Sequence, residues 1–194
     1  IRFLKGEAEN DSALAQKLAK LADIFVFDGF GVAHRESASV VGVAQILPSF
    51  AGFLVEKEVS ALANLAENPP EPFGVILGGA KAEDKIPLIK SLHDKAQLFF
   101  LGGVAANTFL SAKKTKVGKS LVDKSVIHQA LNILNTIVQD PVKDLFLPID
   151  FVVSKSLEKP IKVRIVNRKE IEADDFIVDI GPKTCQMYAN KFQE

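Results

Sequence analysis

Residues 73–112 read FGVILGGAKAEDKIPLIKSLHDKAQLFFLGGVAANTFLSA, and this stretch decides the fold. An apolar run of strand length, FGVIL (73–77), meets the short loop GGAK (78–81), and a helical pattern follows in DKIPLIKSLHDKA (84–96). The unit then repeats as QLFFL (97–101), Gly102-Gly103 and the helical VAANTFLSAKK (104–114). Two strands joined through a helix pair in parallel, and the helices cover the sheet they connect. Downstream, SVIHQALNILNTIVQ (125–139) predicts a helix and DLFLPIDFVV (144–153) one strand. KVRIV (162–166) and FIVDI (176–180) predict further strands, and KTCQMYANKF (183–192) a last helix. The fold class is α/β, a Rossmann-like parallel sheet flanked by helices.

Upstream of this array, Asn10 and Asp11 offer an N-cap to SALAQKLAKLA (12–22), where Leu14, Leu18 and Leu21 recur at helical spacing. IFVF (24–27) predicts a buried strand, SVVGVAQILP (39–48) a helical stretch stopped by Pro48, and FLVEKEVSALANLAEN (53–68) a long amphipathic helix. Pro69-Pro70-Glu71-Pro72 is the sharpest composition shift in the chain. The reading is of two units, 1–52 and 73–194, with 53–72 as a hinge.

The 194 residues suffice for one large domain or two small ones. Lys plus Arg and Asp plus Glu both number 24, so no global field favours nucleic acid or a membrane surface, and any anion site must come from local clustering. No apolar run reaches membrane-spanning length. One cysteine, Cys185, rules out an internal disulfide and fits a reducing compartment. The chain opens with Ile rather than Met, which fits an excised or processed piece.

Ligands of an open parallel sheet bind outside the carboxyl ends of its strands. That rule selects residues 28–35, 78–85, 102–104 and 181–184. All four stretches carry glycine, which lets backbone N–H groups approach a phosphate, and three carry a cation. The spacing of Gly78-Gly79-Ala80-Lys81 is neither a P-loop nor GxGxxG. Lys81 and Lys85 are four apart, so at a helix start they would share one face and flank a polyphosphate. The alternative is two solvated lysines at a helix cap.

The wording of these stretches resembles a known family. FDGFGVAHRESASVVG (27–42) is similar to NDAFGTAHRAHASTVG of the phosphoglycerate kinases, VILGGAKAEDKI to their ILGGAKVSDKI, and LFFLGGVAANTFL to their LLIGGGMANTFL. VGKSL (117–121), LPIDFVV (147–153) and DIGPKT (179–184) follow in family order, and IRF (1–3) resembles the end of ENVRF. The resemblance runs over essentially the whole chain. It implies a two-domain hinge kinase, present in part: residues 1–52 as the end of the phosphoglycerate-binding domain, 53–72 as interdomain helix and linker, and 73–194 as part of the nucleotide-binding domain. The family's other segments, which include its metal-holding Asp, have no counterpart in these residues.

By resemblance, the activity is reversible phosphoryl transfer between 1,3-bisphosphoglycerate and ADP, giving 3-phosphoglycerate and ATP, a glycolytic phosphotransferase step with a carboxyl acceptor. Arg2, His34 and Arg35 would bind phosphoglycerate. Gly79, Ala80, Lys81, Lys85, Gly102 and Gly103 would hold the nucleotide, with Arg35, Lys81 and Lys85 catalytic. Magnesium would accompany ADP or ATP, and no residue of this chain is assigned to the metal. The resemblance further implies a cytoplasmic monomer, without nucleic-acid or membrane partners, and an isolated piece without turnover. The competing reading is a non-catalytic nucleotide-binding or scaffold protein derived from the kinase. Its support lies in departures from the family pattern at Phe27, Glu36 and Val104; Gly29, Val32 and Ser37 also differ. His93 and His128 read as surface or cap residues and Cys185 as a buried or semi-buried structural thiol, rather than ligands, and the fourteen phenylalanines as mostly core.

Overall fold

Asp11 starts the first helix: its Oδ1 accepts the Leu14 N–H at 2.8 Å, ahead of α1 (Ser12–Ala19). The computed structural model describes residues 1–159 and 161–193, and its chain separates at Pro69 into two compact units. In the first unit α1 buries Ala15 and Ala19 rather than its leucines, and Leu21 lies beyond the helix, 80% exposed. The small residues allow close packing against a π-helical stretch, Ala38–Gly42. A β-carbon on Gly42 would sit 2.7 Å from that of Ala15, so glycine is required at this crossing. Strand β1 (Phe25–Phe27) pairs in parallel with β2 (Ser49–Ala51), and α2 (Phe53–Glu67) follows at once.

Asp28, the first acid of the glycine-bearing turn after β1, caps α2. Its Oδ1 accepts the N–H groups of Leu54 (2.7 Å) and Val55 (3.0 Å), placing a carboxylate on the positive end of the helix. Gly52 makes room for it, because a β-carbon there would lie 2.4 Å from the Asp28 carboxyl carbon.

The second unit holds two sheets. Strands β3 (Gly74–Leu77), β4 (Leu98–Leu101) and β5 (Asp144–Phe146) are parallel in that order, linked through α3 (Lys85–Leu92), α4 (Gly103–Ala112) and α5 (Ile127–Gln139). This part bears out the predicted α/β array. The rest departs from an all-parallel sheet: β6 (Asp150–Ser154) lies between β7 (Arg164–Asn167) and β8 (Phe176–Ile180), antiparallel to both. The short connection from β6 to β7 permits a hairpin but no crossover. DLFLPIDFVV is likewise two strands in two sheets instead of one. Pro148 falls between them, where its missing N–H ends the ladder.

Helix α6 (Pro182–Lys191) closes the unit. Phe99, Phe100, Phe109 and Phe151 are its largest fully buried side chains, and burying each contributes roughly 2–3 kcal/mol. They are the only phenylalanines in the buried core of the described residues; Phe3, Phe50, Phe53 and Phe192 are exposed, so the expected phenylalanine-rich core is confined to this unit. Phe100 packs against Phe146, Tyr188 and Phe192 with ring centroids 4.9, 5.1 and 4.3 Å away.

Candidate functional site

In the second unit the carboxyl ends of β3 and β4 deliver two glycine loops to one place. Gly79 (φ +108°) and Gly103 (φ +57°) both occupy the left-handed region that favours glycine. The loops press together: the Val104 N–H donates to the Gly79 carbonyl at 3.0 Å, and the Gly102 N–H to that of Leu77 at 2.8 Å. A β-carbon on Gly103 would meet the Gly79 oxygen at 2.9 Å and its nitrogen at 3.0 Å. Gly103 also opens α4, so backbone donors and the positive helix end face outward beside the loops.

Above these loops lies a cavity of about 410 Å³. Gly79, Ala80, Gly103 and Val104 form its floor, and Leu121, Phe151, Leu157, Ile177 and Val178 make an apolar wall. Asn107 and Asp179 are its polar side chains. Asn107 is buried and donates Nδ2–H to the Leu121 carbonyl at 3.3 Å; Asp179 keeps one oxygen on the Ile180 N–H at 2.8 Å. Such a slot, apolar on one side and lined by bare peptide on the other, suits a flat ring system attached to an anion.

The structure brings Gly79, Ala80 and Gly103 to this cavity, with Gly102 adjacent at the α4 cap. Lys81 and Lys85 lie outside its lining, in the loop beyond Ala80 and at the first turn of α3. Lys81 precedes the helix, so the shared helical face predicted for the pair is not formed; the Ala82–Asp84 turn separates them. Neither lysine is in an ion pair among the described residues. The loop is anchored from behind, where Asp123 Oδ2 accepts the Glu83 N–H at 3.1 Å and the Asp123 N–H donates to Thr108 Oγ1 at 3.0 Å. The hydroxyl of Ser125, 2.6 Å from Asp123 Oδ1, leads the hydrogen bonds that hold this carboxyl below its ordinary range.

The loop 181–184, expected to meet a ligand, is already filled from within. Asp150 is buried beneath it, and its carboxylate accepts the Lys183 N–H (3.0 Å), the Thr184 N–H (2.7 Å) and the Thr184 hydroxyl (2.6 Å). Burial pushes this carboxyl up, but the Thr184 hydroxyl and the two N–H bonds outweigh it and leave the group below its usual range. The rule for parallel strands does not apply after β8, which is antiparallel. Residues just before this loop, Ile177–Ile180, do line the cavity, and nothing local marks them for it because they read only as a strand.

In the first unit Arg2 and Arg35 line one cavity of about 340 Å³, with Glu7, Glu36, Ser37 and Ser39. His34 is exposed and outside that lining. Glu7 is buried, 5% exposed, and accepts from the Ser39 N–H (3.1 Å) and hydroxyl (2.5 Å). Burial raises its carboxyl, and the hydrogen bonds of Ser39 and Ser37 more than offset that, holding it ionised and low. Sequence reading missed Glu7, since an acid in GEAEND looks like any solvated acid.

The remaining singled-out residues are not brought together. His128 lies exposed on α5, and His93 caps α3, its Nδ1 3.2 Å from Lys143 Nζ. Cys185 is exposed on α6, correcting the expectation of a buried or semi-buried thiol. Among the described residues one carboxylate group has metal-ligand spacing, Glu172, Asp174 and Asp175. Lys155 Nζ, at 2.5, 2.6 and 2.8 Å, and Arg164 already occupy its oxygens, so it does not fit a metal ion. Among the described residues, no helix is long and apolar enough to cross a membrane.

The fold is of the α/β class, with glycine loops at the carboxyl ends of a parallel sheet in one unit and a separate arginine-lined cavity in the other. The family model described as phosphoglycerate kinase matches residues 1–194, and the chain belongs to that family. A phosphoglycerate kinase of Finegoldia magna is 40% identical over 193 residues, and one of Thermus thermophilus 42%. Both alignments cover 100% of this chain and 49% of the relative, so the chain spans about half the length of the curated relatives it matches. The solved phosphoglycerate kinase of Coxiella burnetii superposes with a TM-score of 0.74 at 39% identity, covering 98% of this chain and 49% of that one. That of Pyrococcus horikoshii gives 0.78 at 28% identity, covering 98% and 50%.

Proposed function

We propose that this chain supplies part of a kinase that moves a phosphoryl group between the acyl phosphate of 1,3-bisphosphoglycerate and ADP. The bond from phosphorus to the carboxyl oxygen breaks as the terminal oxygen of ADP bonds to phosphorus, leaving 3-phosphoglycerate and ATP. The observation that carries the reading is the paired glycine loop, Gly79 against Gly103, opening on an apolar slot with two unpaired lysines nearby. In this proposal the slot takes the adenosine, the loop amides and the start of α4 take its phosphates, and Lys81 and Lys85 meet the transferring group as point charges. Phosphoryl transfer proceeds through a loose transition state with charge spread over oxygen, so positioned cations are the main contribution a protein can make.

Arg2 and Arg35, with His34 beside them, are assigned to phosphoglycerate, because the planar arginine fork grips a phosphate or carboxylate with two hydrogen bonds. Residues 53–72 are assigned as the joint between the phosphoglycerate-binding and nucleotide-binding parts. Magnesium is assigned to the nucleotide's own phosphates. A cytoplasmic location and a monomeric state belong to the same proposal.

The test has two arms. A protein of family length containing this sequence, supplied with 1,3-bisphosphoglycerate and MgADP, is expected to form ATP, while the 194-residue chain binds MgADP without turnover. Nucleotide binding without any transfer at full length would replace this reading with that of a binding or scaffold protein.

A further inference from the structure

Away from the glycine loops the second unit has another cavity, of about 460 Å³, where α4 and α5 end and β5 begins. Lys113, Lys143 and Arg168 line it, together with Asp140 and Asp144. Lys143 is already matched, its Nζ 2.9 Å from Asp140 Oδ2. Arg168 is not. Its guanidinium is half-buried and donates from Nε to the Pro148 carbonyl (2.8 Å) and from Nη2 to that of Leu147 (3.1 Å). Among the described residues no carboxylate stands within ion-pair distance of it.

A partly desolvated cation with only neutral partners is costly, and an anion brought to it recovers that cost. Burial accordingly holds the Arg168 guanidinium below its ordinary range. Two of its N–H donors are engaged, which leaves an edge of the fork for a carboxylate. Three cations against two acids leave the lining one charge positive, which matches a monoanion better than a phosphate dianion. The rest of the wall is aliphatic, including Ile137, Val138 and Leu147.

We propose that this cavity binds a small organic carboxylate with an aliphatic tail, its head on Arg168 and Lys113 and its tail along the α5 side chains. The site is independent of the nucleotide assignment above. The probe is sodium hexanoate at constant ionic strength, followed by amide chemical shifts of the 194-residue chain, with acetate and 1-hexanol as controls for tail and charge. Saturable shifts are expected around residues 113, 137–145 and 168, unchanged by MgADP and much weaker with either control. Lys113→Met, an exposed position at the α4 end, is expected to weaken hexanoate about fivefold, the scale of one accessible ion pair. Arg168→Gln should abolish saturation; should that variant unfold, the lysine variant still decides. Non-saturating shifts, equal affinity for 1-hexanol, unaltered binding in Lys113→Met, or shifts confined to the Gly79–Val104 cavity would each overturn the assignment.

Discussion

Gly103 has no room for a β-carbon and sits at a backbone angle that other residues avoid, so its replacement tests two costs together. Gly103→Ala is expected to destabilise the second unit by about 1–3 kcal/mol, since the strained φ and the close Gly79 peptide both resist it. Thermal unfolding of the chain measures this directly. Gly78 and Gly102 have open space around the missing side chain, and alanine there is expected to cost less stability while lowering nucleotide affinity. The lysines differ again. Lys81→Ala and Lys85→Ala in a protein of family length should leave folding intact and lower kcat about 10²–10³-fold, the usual effect of deleting one charge that meets a transition state. A loss confined to KM would show that the lysine binds substrate and transition state equally.

At the scale of elements, two helices start on carboxylates borrowed from distant parts of the chain, Asp28 for α2 and Asp150 for α6. Asp150→Asn should cost about 2 kcal/mol, by analogy with removal of a helix cap and a buried hydrogen bond. The pH dependence follows from the low carboxyl of Asp150. A group whose folded pKa lies below its unfolded value contributes stability in full above the unfolded value, and loses it as pH falls through the folded one. Wild-type stability should therefore decline in acid below the ordinary aspartate range of about 3.9, while Asp150→Asn shows a flatter acid limb in urea titrations.

Much of this level was legible in the residues. FGVIL and QLFFL, each bounded by Gly-Gly and followed by a helical pattern, identified the parallel strands and the loops that line the cavity. DFVV, RIV and FIV carry no mark of direction, so the antiparallel sheet was hidden: β-branched runs look alike whichever way they pair. GPK likewise resembles a ligand loop until Asp150, more than thirty residues earlier, is seen to occupy it. Arg2 and Arg35 were legible as cations, but the buried Glu7 beside them was not, because burial of an acid depends on partners distant in sequence.

For the whole molecule, the two compact units carry different sets of candidate site residues, and ligand linkage should separate them. A ligand that binds only the folded form stabilises it by about 2.7 kcal/mol at a hundredfold excess over Kd. MgADP is expected to shift only the unfolding of the second unit. 3-Phosphoglycerate should act only on the first, and a joint shift from either ligand would refute the separate assignment.

Tyr188 makes that separation readable. It is the chain's one tyrosine, there is no tryptophan, and its hydroxyl lies 2.7 Å from the Leu101 carbonyl and 3.0 Å from that of Phe146. Beyond the phenylalanine band, near-ultraviolet absorption of this protein therefore originates from a single phenol ring on α6, held against the ends of two neighbouring strands. Melting curves recorded in the tyrosine band are blind to the amino-terminal third, whereas far-ultraviolet dichroism sums over everything, so the difference between the two traces isolates the unit that carries no tyrosine.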